Sequence, residues 1–456
     1  MGKQQMSLLV LVLVAYCAVE GLGRREFEGE ERSGGQKKMF ILNEAKEVVR
    51  TESGVIKVVR GSTSTSGRLM HIGFITMEPQ SLLIPQYLDS HLVLFINQGE
   101  ARIGHVYKDK LAERKVKSGD MYTIEAGSAF YVENTAEGQR LHIICSINIV
   151  DTSDMRGADT YTFQSFFIGG GMHPTSVLAG FDPYTLSTAL NVSMVEISKL
   201  VGTKVSGPIV SLTNSNYTAP ILAHLKRIVH YSDVEQQQQH YWAPWLFMRK
   251  LLTNHYYYPF FSNNNNNNNN NGDDDDAPDS YNIFDNDKKP DFSNEYGWSL
   301  AVDENDYAPL KIPDVTVYLV NLTAGSMMAP HVNPRAIEYG IVVEGMGEVE
   351  VVYPNGTLAM NAQVRQGDVF WVPRFFPFCQ IASRNGPFVF FGFTTSAKDN
   401  QPQFLVGEGS VMQLLRGPEL AAALGLSEER VEEIVKAQRA STILPAAYAA
   451  PPESSM

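Results

Sequence analysis

Cysteine is scarce in this sequence, which limits how far covalent cross-links can contribute to its stability. Only three of the 456 residues are cysteine, at positions 17, 145 and 379. Cys17 lies in an apolar N-terminal segment and the other two stand one in each half of the chain, so the pattern is not a disulfide framework. Cys145 and Cys379 both lie in apolar surroundings, which predicts buried free thiols; a bridge or a reactive site is the alternative.

Long apolar runs are also lacking beyond the N-terminus. Residues 6–18 are mostly apolar, they follow a short basic start at Lys3, and small residues come next at Gly21 and Gly23. This order is typical of a secretory signal peptide covering residues 1–23, with cleavage near residues 21–23. The alternative is a membrane anchor, but the run is shorter than the roughly 20 apolar residues that a spanning helix needs. We therefore expect no membrane span and entry into the secretory pathway.

Positive charge is in deficit. Lysine and arginine total 37 against 50 aspartate and glutamate residues, which gives a formal net charge of −13. Nucleic acid is therefore not an expected partner. The sequence also lacks a Gly-x-Ser-x-Gly elbow, a phosphate-binding loop and a zinc-protease helix motif. Because these motifs are absent, the sequence predicts no catalytic residue and no cofactor.

The remaining chain divides by composition into two structured regions. Residues 24–38 are charged and glycine-rich and predict a disordered leader. Residues 39–201 contain short β-rich runs followed by helix-compatible stretches such as residues 186–200, and residues 297–446 repeat that order. The range 202–296 is predicted as a linker that includes a disordered loop at residues 262–280, because nine consecutive asparagines and four consecutive aspartates there have nothing to bury. Residues 447–456 form a tail.

Two segments of the chain resemble each other. Residues 85–134 read like residues 330–382: Gly99-Glu-Ala-Arg is matched by Gly347-Glu-Val-Glu, and Gly119-Asp-Met-Tyr by Gly367-Asp-Val-Phe. Gly119 and Gly367 are 248 residues apart (367 − 119), which is too long for a solenoid repeat and indicates a duplicated domain. Ser427 and the apolar Val431, Ile434 and Val435 predict a capped amphipathic helix after the second copy.

Four Asn-x-Ser/Thr triplets are candidate glycosylation sites in a secreted chain, namely Asn191, Asn216, Asn321 and Asn355. Asn355 is the strongest of these candidates, because Asn-Gly between two β-rich runs predicts an exposed hairpin tip.

The second copy resembles the cupins. Residues 325–345, which contain Ala-Pro-His331-Val-Asn333 and Glu338, are similar to the first cupin motif, and residues 367–379 are similar to the second. The Asn/Asp-rich loop, Tyr281-Asn-Ile-Phe and Phe292-Ser-Asn-Glu-Tyr-Gly together resemble the seed vicilins, and the C-terminal residues 417–424 resemble the vicilin-like subgroup. The resemblance implies a mostly β fold of two jelly-roll β-barrels (a bicupin), each with a short α-helical extension. It also implies a homotrimer that packs through these extensions and a role as a seed reserve of nitrogen and carbon. The implied location is the protein storage vacuole.

The residues at the cupin metal positions depart from the enzymatic pattern of three histidines and one glutamate. His331 and Glu338 are present, but Asn333 and Phe378 replace the second and the distal histidine. The equivalents in the first copy are Gln86, Leu88, Leu92 or Val93, and Phe130. We therefore expect filled barrels and no metal. His331 is expected to be a structural histidine hydrogen-bonded to Glu338; a vestigial site of His331, Glu338 and Cys379 that takes copper or zinc adventitiously is the alternative.

Three functions remain open at this point. A non-enzymatic seed storage globulin, for which the chain need only fold, pack and be digestible, is the first. A barrel that binds a small molecule, such as a sugar or a hormone-like acid, is the second. A bicupin dioxygenase or oxalate-degrading enzyme is the third, and neither copy carries the complete metal-ligand set that such an enzyme needs.

Overall fold

Two β-barrels account for most of the structured chain. The structure, a computed structural model, describes residues 39–42, 45–61, 70–136, 138–149, 163–170, 173–202, 207–213, 276–284, 289–396 and 400–445. The predicted signal peptide, the predicted leader, the asparagine run and the tail lie outside these residues. No helix of the described segments is long and apolar enough to span a membrane.

The first barrel consists of two facing antiparallel sheets, with the strand orders β1-β2-β3-β10-β5-β8-β13 and β11-β4-β9-β6-β7, and with β12 paired to β4. Its strands are β1 (Ala45–Thr51), β2 (Gly54–Val59), β3 (Met70–Met77), β4 (Ser81–Leu88), β5 (Ser90–Gln98), β6 (Glu100–Tyr107), β7 (Lys110–Lys117), β8 (Asp120–Ile124), β9 (Ala129–Asn134), β10 (Leu141–Ile149), β11 (Ser165–Phe167), β12 (Ile209–Ser211) and β13 (Tyr281–Asn282). The extension that follows β11 contains α1 (Pro183–Leu190) and α2 (Met194–Val201).

The second barrel repeats this plan in one strongly bent sheet of eleven strands. Its strands are β14 (Phe292–Asn294), β15 (Gly297–Val302), β16 (Thr316–Leu322), β17 (Met327–Val332), β18 (Glu338–Val352), β19 (Leu358–Arg365), β20 (Val369–Val372), β21 (Phe378–Ala382), β22 (Phe388–Thr394), β23 (Gln403–Phe404) and β24 (Ile443–Leu444). Its extension contains α3 (Val411–Leu414), α4 (Pro418–Leu424) and α5 (Glu428–Ala437). The mostly β fold and the paired helical extensions predicted from the sequence are thus confirmed.

The helical extensions begin and end at residues with clear local causes. Asp182 caps α1 by accepting hydrogen bonds from two backbone amides, and Asn191 ends it in the left-handed conformation, φ 52°. Ser193 and Glu196 then form a capping box that starts α2. The helix-compatible stretch 186–200 therefore falls in two short helices. Ser427 caps α5 as predicted.

The residue of the second copy that is equivalent to Gly99 differs from the one that the sequence repeat indicated. Gly119 and Gly367 donate to the carbonyl groups of Ile96 and Val342, respectively, so Gly99 corresponds to Gly345 and not to Gly347. Gly99 and Gly345 have φ values of 95° and 77°, which favour glycine. A Cβ at Gly345 would lie 1.9 Å from the Pro387 carbonyl oxygen. In the first barrel this glycine separates β5 from β6, whereas in the second it lies within the continuous strand β18, beside the register shift at Val342 and Glu344.

Each barrel completes its sheet with a segment that lies upstream of the other barrel. Ile41 forms a bridge with Phe370, and the Leu42 amide donates to the Val369 carbonyl, so residues 39–42 extend the edge of the second barrel. Strand β13 pairs with β8 in the first barrel in the same manner. Strands β12, β13 and β14 all lie within the range 202–296 that was predicted as linker, so the structure differs from that prediction at both ends of the range. Three short strands of two or three residues pair with the barrel sheets there.

The two barrels share one large apolar core. The rings of Phe95 and Phe391 stack with centroids 4.0 Å apart and an interplanar angle of 13°. The interior of the first barrel forms a second apolar cluster, and Ala421, Val431 and Val435 form a third between the C-terminal helices. Val431 and Val435 are buried as their shared helical face predicted, whereas Ile434 is 45% exposed.

Candidate functional site

Glu338 is the centre of a buried polar cluster inside the second barrel. It begins β18, where it pairs with Val372 on one side and Thr394 on the other. Its carboxylate accepts hydrogen bonds from Asn333 Nδ2 at 2.7 Å and from Gln380 Nε2 at 3.2 Å, and the Tyr318 hydroxyl is a third partner. Burial raises the pKa of Glu338 from 4.5 to about 7, and the three hydrogen bonds oppose that rise only in part.

His331 lies in the same barrel but has different partners. Its Nδ1 lies 2.8 Å from the Ala329 carbonyl oxygen. Its ring packs against Phe378 and Phe404, with centroids 4.1 Å and 5.1 Å away. Burial lowers the pKa of His331 to about 4, so the ring is neutral near pH 7. The expected hydrogen bond between His331 and Glu338 is wrong: Glu338 takes the two amides and the phenol, while the histidine is held by a backbone carbonyl and two aromatic rings.

Cys379 does not join either group. It pairs with Glu350 across β21 and β18, and its thiol lies 3.8 Å from Glu350 Oε2. Successive residues of a strand point to opposite faces, so Cys379 lies on the face opposite to Phe378 and Gln380. Burial, with the nearby Glu350 carboxylate, raises the pKa of the Cys379 thiol to about 12. Cys145 and Cys379 are both buried free thiols, as predicted.

The donor set does not fit the metal of an enzymatic cupin. Among the residues that the structure describes, no three histidine, cysteine, aspartate or glutamate side chains converge on one point. Of the four positions, Asn333 supplies an amide that is committed to Glu338, and Phe378 supplies no donor at all. The neutral carboxyl favoured by the environment of Glu338 is also a poor ligand for a cation.

Strand pairing identifies the equivalent positions in the first barrel. Gln86 pairs with Phe130 as His331 pairs with Phe378. Leu92 pairs with Ile124 and Ile147 in the way that Glu338 pairs with Val372 and Thr394. Leu92, and not Val93, therefore occupies the glutamate position. With Gln86 and Leu92 at the positions of His331 and Glu338, the described part of the first barrel has no counterpart of the polar cluster around Glu338.

One exchange of residues opens space in the first barrel. Tyr318 lies opposite Gly392 in the second barrel, where a Cβ at Gly392 would lie only 2.3 Å from the tyrosine hydroxyl oxygen. The equivalent pair in the first barrel is Gly73 opposite Cys145. Gly73 thus occupies the position of Tyr318, and the Cys145 side chain, at the position of Gly392, replaces only a small part of the phenol volume.

The first barrel accordingly contains a cavity of about 600 Å³ that is bordered by β1, β2, residues 163–167 and residues 173–174. Gly73, Cys145 and Gln86 are among its lining residues. The expectation that both barrels are filled is therefore wrong for the first barrel. The phenylalanine at the distal position, Phe130, lines the cavity but does not fill it.

Three features of these interiors were not predicted from the sequence. Tyr318 and Gln380, which bond Glu338, were not singled out, and the Gly73–Cys145 pair was not recognised. Gln380 follows Phe378 by two residues, so the alternation of side chains along a strand is a sequence signal that places both on the same face. The other two depend on which strands pair, and no local pattern shows that.

The candidate glycosylation sites differ in their surroundings. Asn355 lies at the exposed tip of the β18–β19 hairpin, as predicted, and its Oδ1 accepts hydrogen bonds from the amide and hydroxyl of Thr357. Asn191 is exposed between α1 and α2. Asn321 is only half-buried but lies within β16, which is paired on both sides. Asn216 lies outside the described residues.

Comparison with known proteins assigns this architecture to a family. The cupin family model matches residues 40–153 and 281–432. A vicilin-like seed storage protein of Arabidopsis thaliana is 47% identical over 438 residues, which cover 92% of this chain and 82% of the relative. The hazelnut (Corylus avellana) vicilin structure is 24% identical, with a TM-score of 0.67 and coverage of 88% of this chain and 97% of that one.

A vicilin structure from Solanum melongena, described as revealing different anionic ligands in structurally similar pockets, is 20% identical. Its TM-score is 0.70, and the match covers 89% of this chain and 98% of that one. The duplicated barrel and the replaced metal positions agree with these matches. The chain therefore belongs to the cupin family and, within it, to the vicilin-like seed storage globulins.

Proposed function

We propose that this seed storage globulin is a non-catalytic reserve that needs no cofactor. The observation that carries the proposal is the donor set around Glu338, where an amide and a phenyl ring occupy two of the four metal positions of an enzymatic cupin. Any copper or zinc at His331, Glu338 or Cys379 is then adventitious. Purified protein should contain well below one metal atom per chain, and stoichiometric metal or oxalate turnover after manganese loading would contradict the proposal.

The proposed assembly is a homotrimer that packs through the helical extensions. Both extensions present large apolar side chains to solvent in the single chain: Tyr184 and Val195 are 72% and 64% exposed on α1 and α2, and Leu414 is 77% exposed on α3. Apolar surface of this kind on adjacent helices is typical of an interface between subunits. Three copies joined head to tail through the two extensions form a closed ring.

The proposed location is the protein storage vacuole, reached through the secretory pathway. Residues 6–18 support a signal peptide by their apolar composition, and storage proteins are the named relatives. Sequencing of the mature N-terminus should place cleavage near residues 21–23, and fractionation of maturing seeds should recover the chain with vacuolar markers. An intact N-terminus or a cytosolic distribution would contradict this route.

Glycosylation is proposed at Asn355 and Asn191, because both side chains are exposed in turns that a transferase can reach. Asn321 is expected to remain unmodified, since its strand is hydrogen-bonded on both sides. Peptide mass spectrometry after enzymatic release of N-glycans checks each site. A glycan at Asn321 with none at Asn355 would contradict the assignment.

A second candidate function, the binding of a small molecule in the first barrel, is favoured by the 600 Å³ cavity. Its volume lies within the range of roughly 300–1,000 Å³ typical of ligand pockets. The Solanum melongena relative supports this role, since its pockets are described as holding anionic ligands. Saturable calorimetric binding of a defined compound tests this role independently of the reserve function.

A further inference from the structure

The cavity of the first barrel has apolar walls for most of its depth. Side chains from eight strands, β1 to β5 and β9 to β11, line it. The walls include Leu83, Leu92, Leu94, Phe130, Val132 and Ile147. An apolar space of this size favours an apolar occupant over water, because water there finds few hydrogen-bonding partners.

The mouth of the cavity carries positive charge. Lys46, Arg50 and Arg60 line it, and within the described residues its lining contains no aspartate or glutamate. Arg50 forms an ion pair with Glu47, whereas Lys46 and Arg60 form no ion pair with any described residue. Lys46 pairs across the sheet with the buried Val58, and Arg60 follows Val58 by two residues, so both side chains lie on the cavity face. This local excess of cations stands out in a chain with a net charge of −13.

We propose that the first barrel binds an amphipathic carboxylate of the fatty-acid class, with its apolar chain in the barrel and its head group between Lys46 and Arg60. This inference rests on the binding role proposed above and adds the chemical class of the ligand. An exposed cation contributes modest attraction, so most of the affinity comes from the apolar chain. Each methylene removed from water strengthens binding about fourfold.

The direct test is isothermal titration calorimetry of the full purified chain with probes that differ in one feature each. Dodecanoate, dodecyltrimethylammonium and dodecan-1-ol share a chain and differ in head-group charge, while octanoate and acetate share the carboxylate and shorten the chain. We expect one dodecanoate per chain, about tenfold tighter than dodecyltrimethylammonium, with octanoate weaker and acetate undetectable.

Two variants locate the site. The Lys46→Ala/Arg60→Ala variant should weaken dodecanoate about tenfold and leave dodecan-1-ol unchanged. Lys57→Ala is the matched control, because Lys57 is an exposed cation on β2 that alternates with the cavity-lining Val58 and so points to the opposite face. The Gly73→Tyr/Cys145→Gly variant places the tyrosine–glycine pair of the second barrel in the first and should abolish binding of every probe.

The outcomes distinguish failure of ligand binding in the first barrel from failure of the proposed ligand class. If no probe binds, the binding role and the ligand class both fail. If the three twelve-carbon probes bind equally, or if acetate binds as tightly as dodecanoate, the binding role stands and the amphipathic carboxylate is wrong. If circular dichroism shows that the Gly73→Tyr/Cys145→Gly variant does not fold, the rim variant and the head-group series decide the question.

Discussion

Among single residues, Glu338 links the interior of the second barrel to pH. Its pKa rises from 4.5 to about 7 in the folded protein because burial disfavours the charged carboxylate. The folded state therefore holds a proton that the unfolded state releases between these two values. Its contribution to stability is fully present below about pH 4.5 and is lost as the pH rises through about 7.

We expect the Glu338→Gln variant to lose this pH dependence. The difference between the two pKa values corresponds to about 3 kcal/mol of unfolding free energy that the natural chain loses between pH 4.5 and 7.5 and the variant retains. Urea unfolding at several pH values measures it. Glu344→Gln, at an exposed position of the same strand, is the control and should behave like the natural chain. Parallel pH profiles for the natural chain and Glu338→Gln would contradict the role of this carboxyl.

A second residue-scale test concerns Gly392, which makes room for Tyr318. A Cβ there would lie 2.2 Å from the Tyr339 carbonyl oxygen and 2.3 Å from the Tyr318 hydroxyl oxygen. We expect Gly392→Ala to lower the unfolding free energy by about 1–3 kcal/mol, because the backbone cannot move away without breaking strand pairing. Gly386→Ala, which meets no atom within 4 Å, is the control for the urea midpoint. Equal midpoints for the two variants would show that the space is not needed.

The sequence predicts the replaced metal positions but not their new partners. The spacing of His331, Asn333, Glu338 and Phe378 follows from the two motifs, and the structure places all four in the second barrel. Which donor bonds Glu338 depends on strands far apart in sequence, since Gln380 lies 42 residues beyond it. The cavity depends in the same way on Gly73 and Cys145, which meet only because β3 pairs with β10.

At the level of elements, the exchanged edge segments connect the two barrels. Residues 39–42 lie directly before the first barrel in sequence but complete the second. Phe40 is 1% exposed and packs edge-on against Trp371 and Phe376, with ring centroids 5.4 Å and 5.8 Å away. The stability of the second barrel therefore depends on residues at the opposite end of the chain.

Phe40→Ala is expected to destabilise the protein by about 3–5 kcal/mol through the lost aromatic contacts and the resulting cavity. Thermal unfolding followed by circular dichroism measures the change. Phe375→Ala is the matched control, because Phe375 is 60% exposed beside the same site. If removal of the first 42 residues, or Phe40→Ala, leaves the melting temperature unchanged, the segment does not stabilise the second barrel.

Element type was predictable where the local signal is strong. Helix α5 has a serine cap, acidic residues in its first turn and an apolar stripe, and it forms where predicted. The edge strands β12 and β13 have no such signal, since each is only two or three residues long and is held by its neighbour. The asparagine run at residues 263–271, between these two strands in sequence, also favoured a linker prediction over the whole range.

At the scale of the whole molecule, the proposed trimer follows from apolar helices that the single chain leaves exposed. We expect Leu414→Glu to place a charge in the subunit interface and to shift the protein from trimer to monomer. Sedimentation equilibrium measures the mass. Leu358→Glu is the control, because Leu358 is 58% exposed on β19, outside the helical extensions. A trimer that survives Leu414→Glu but dissociates with Leu358→Glu would move the interface to the barrel surface.

The reserve function makes few demands on any single side chain, which agrees with barrels that keep their strand pairing while their metal positions are replaced. An acidic compartment also suits this molecule, because acid keeps Glu338 protonated and reduces the net negative charge that opposes dense packing. Fold, charge and site thus agree with long-term deposition followed by digestion.

The most direct test of this account is the amount of the polypeptide in seeds, followed by quantitative mass spectrometry through filling and then germination. We expect a rise to high abundance during filling and proteolytic loss during germination, with leaf and root containing little. Low and constant abundance across all tissues would contradict the reserve function.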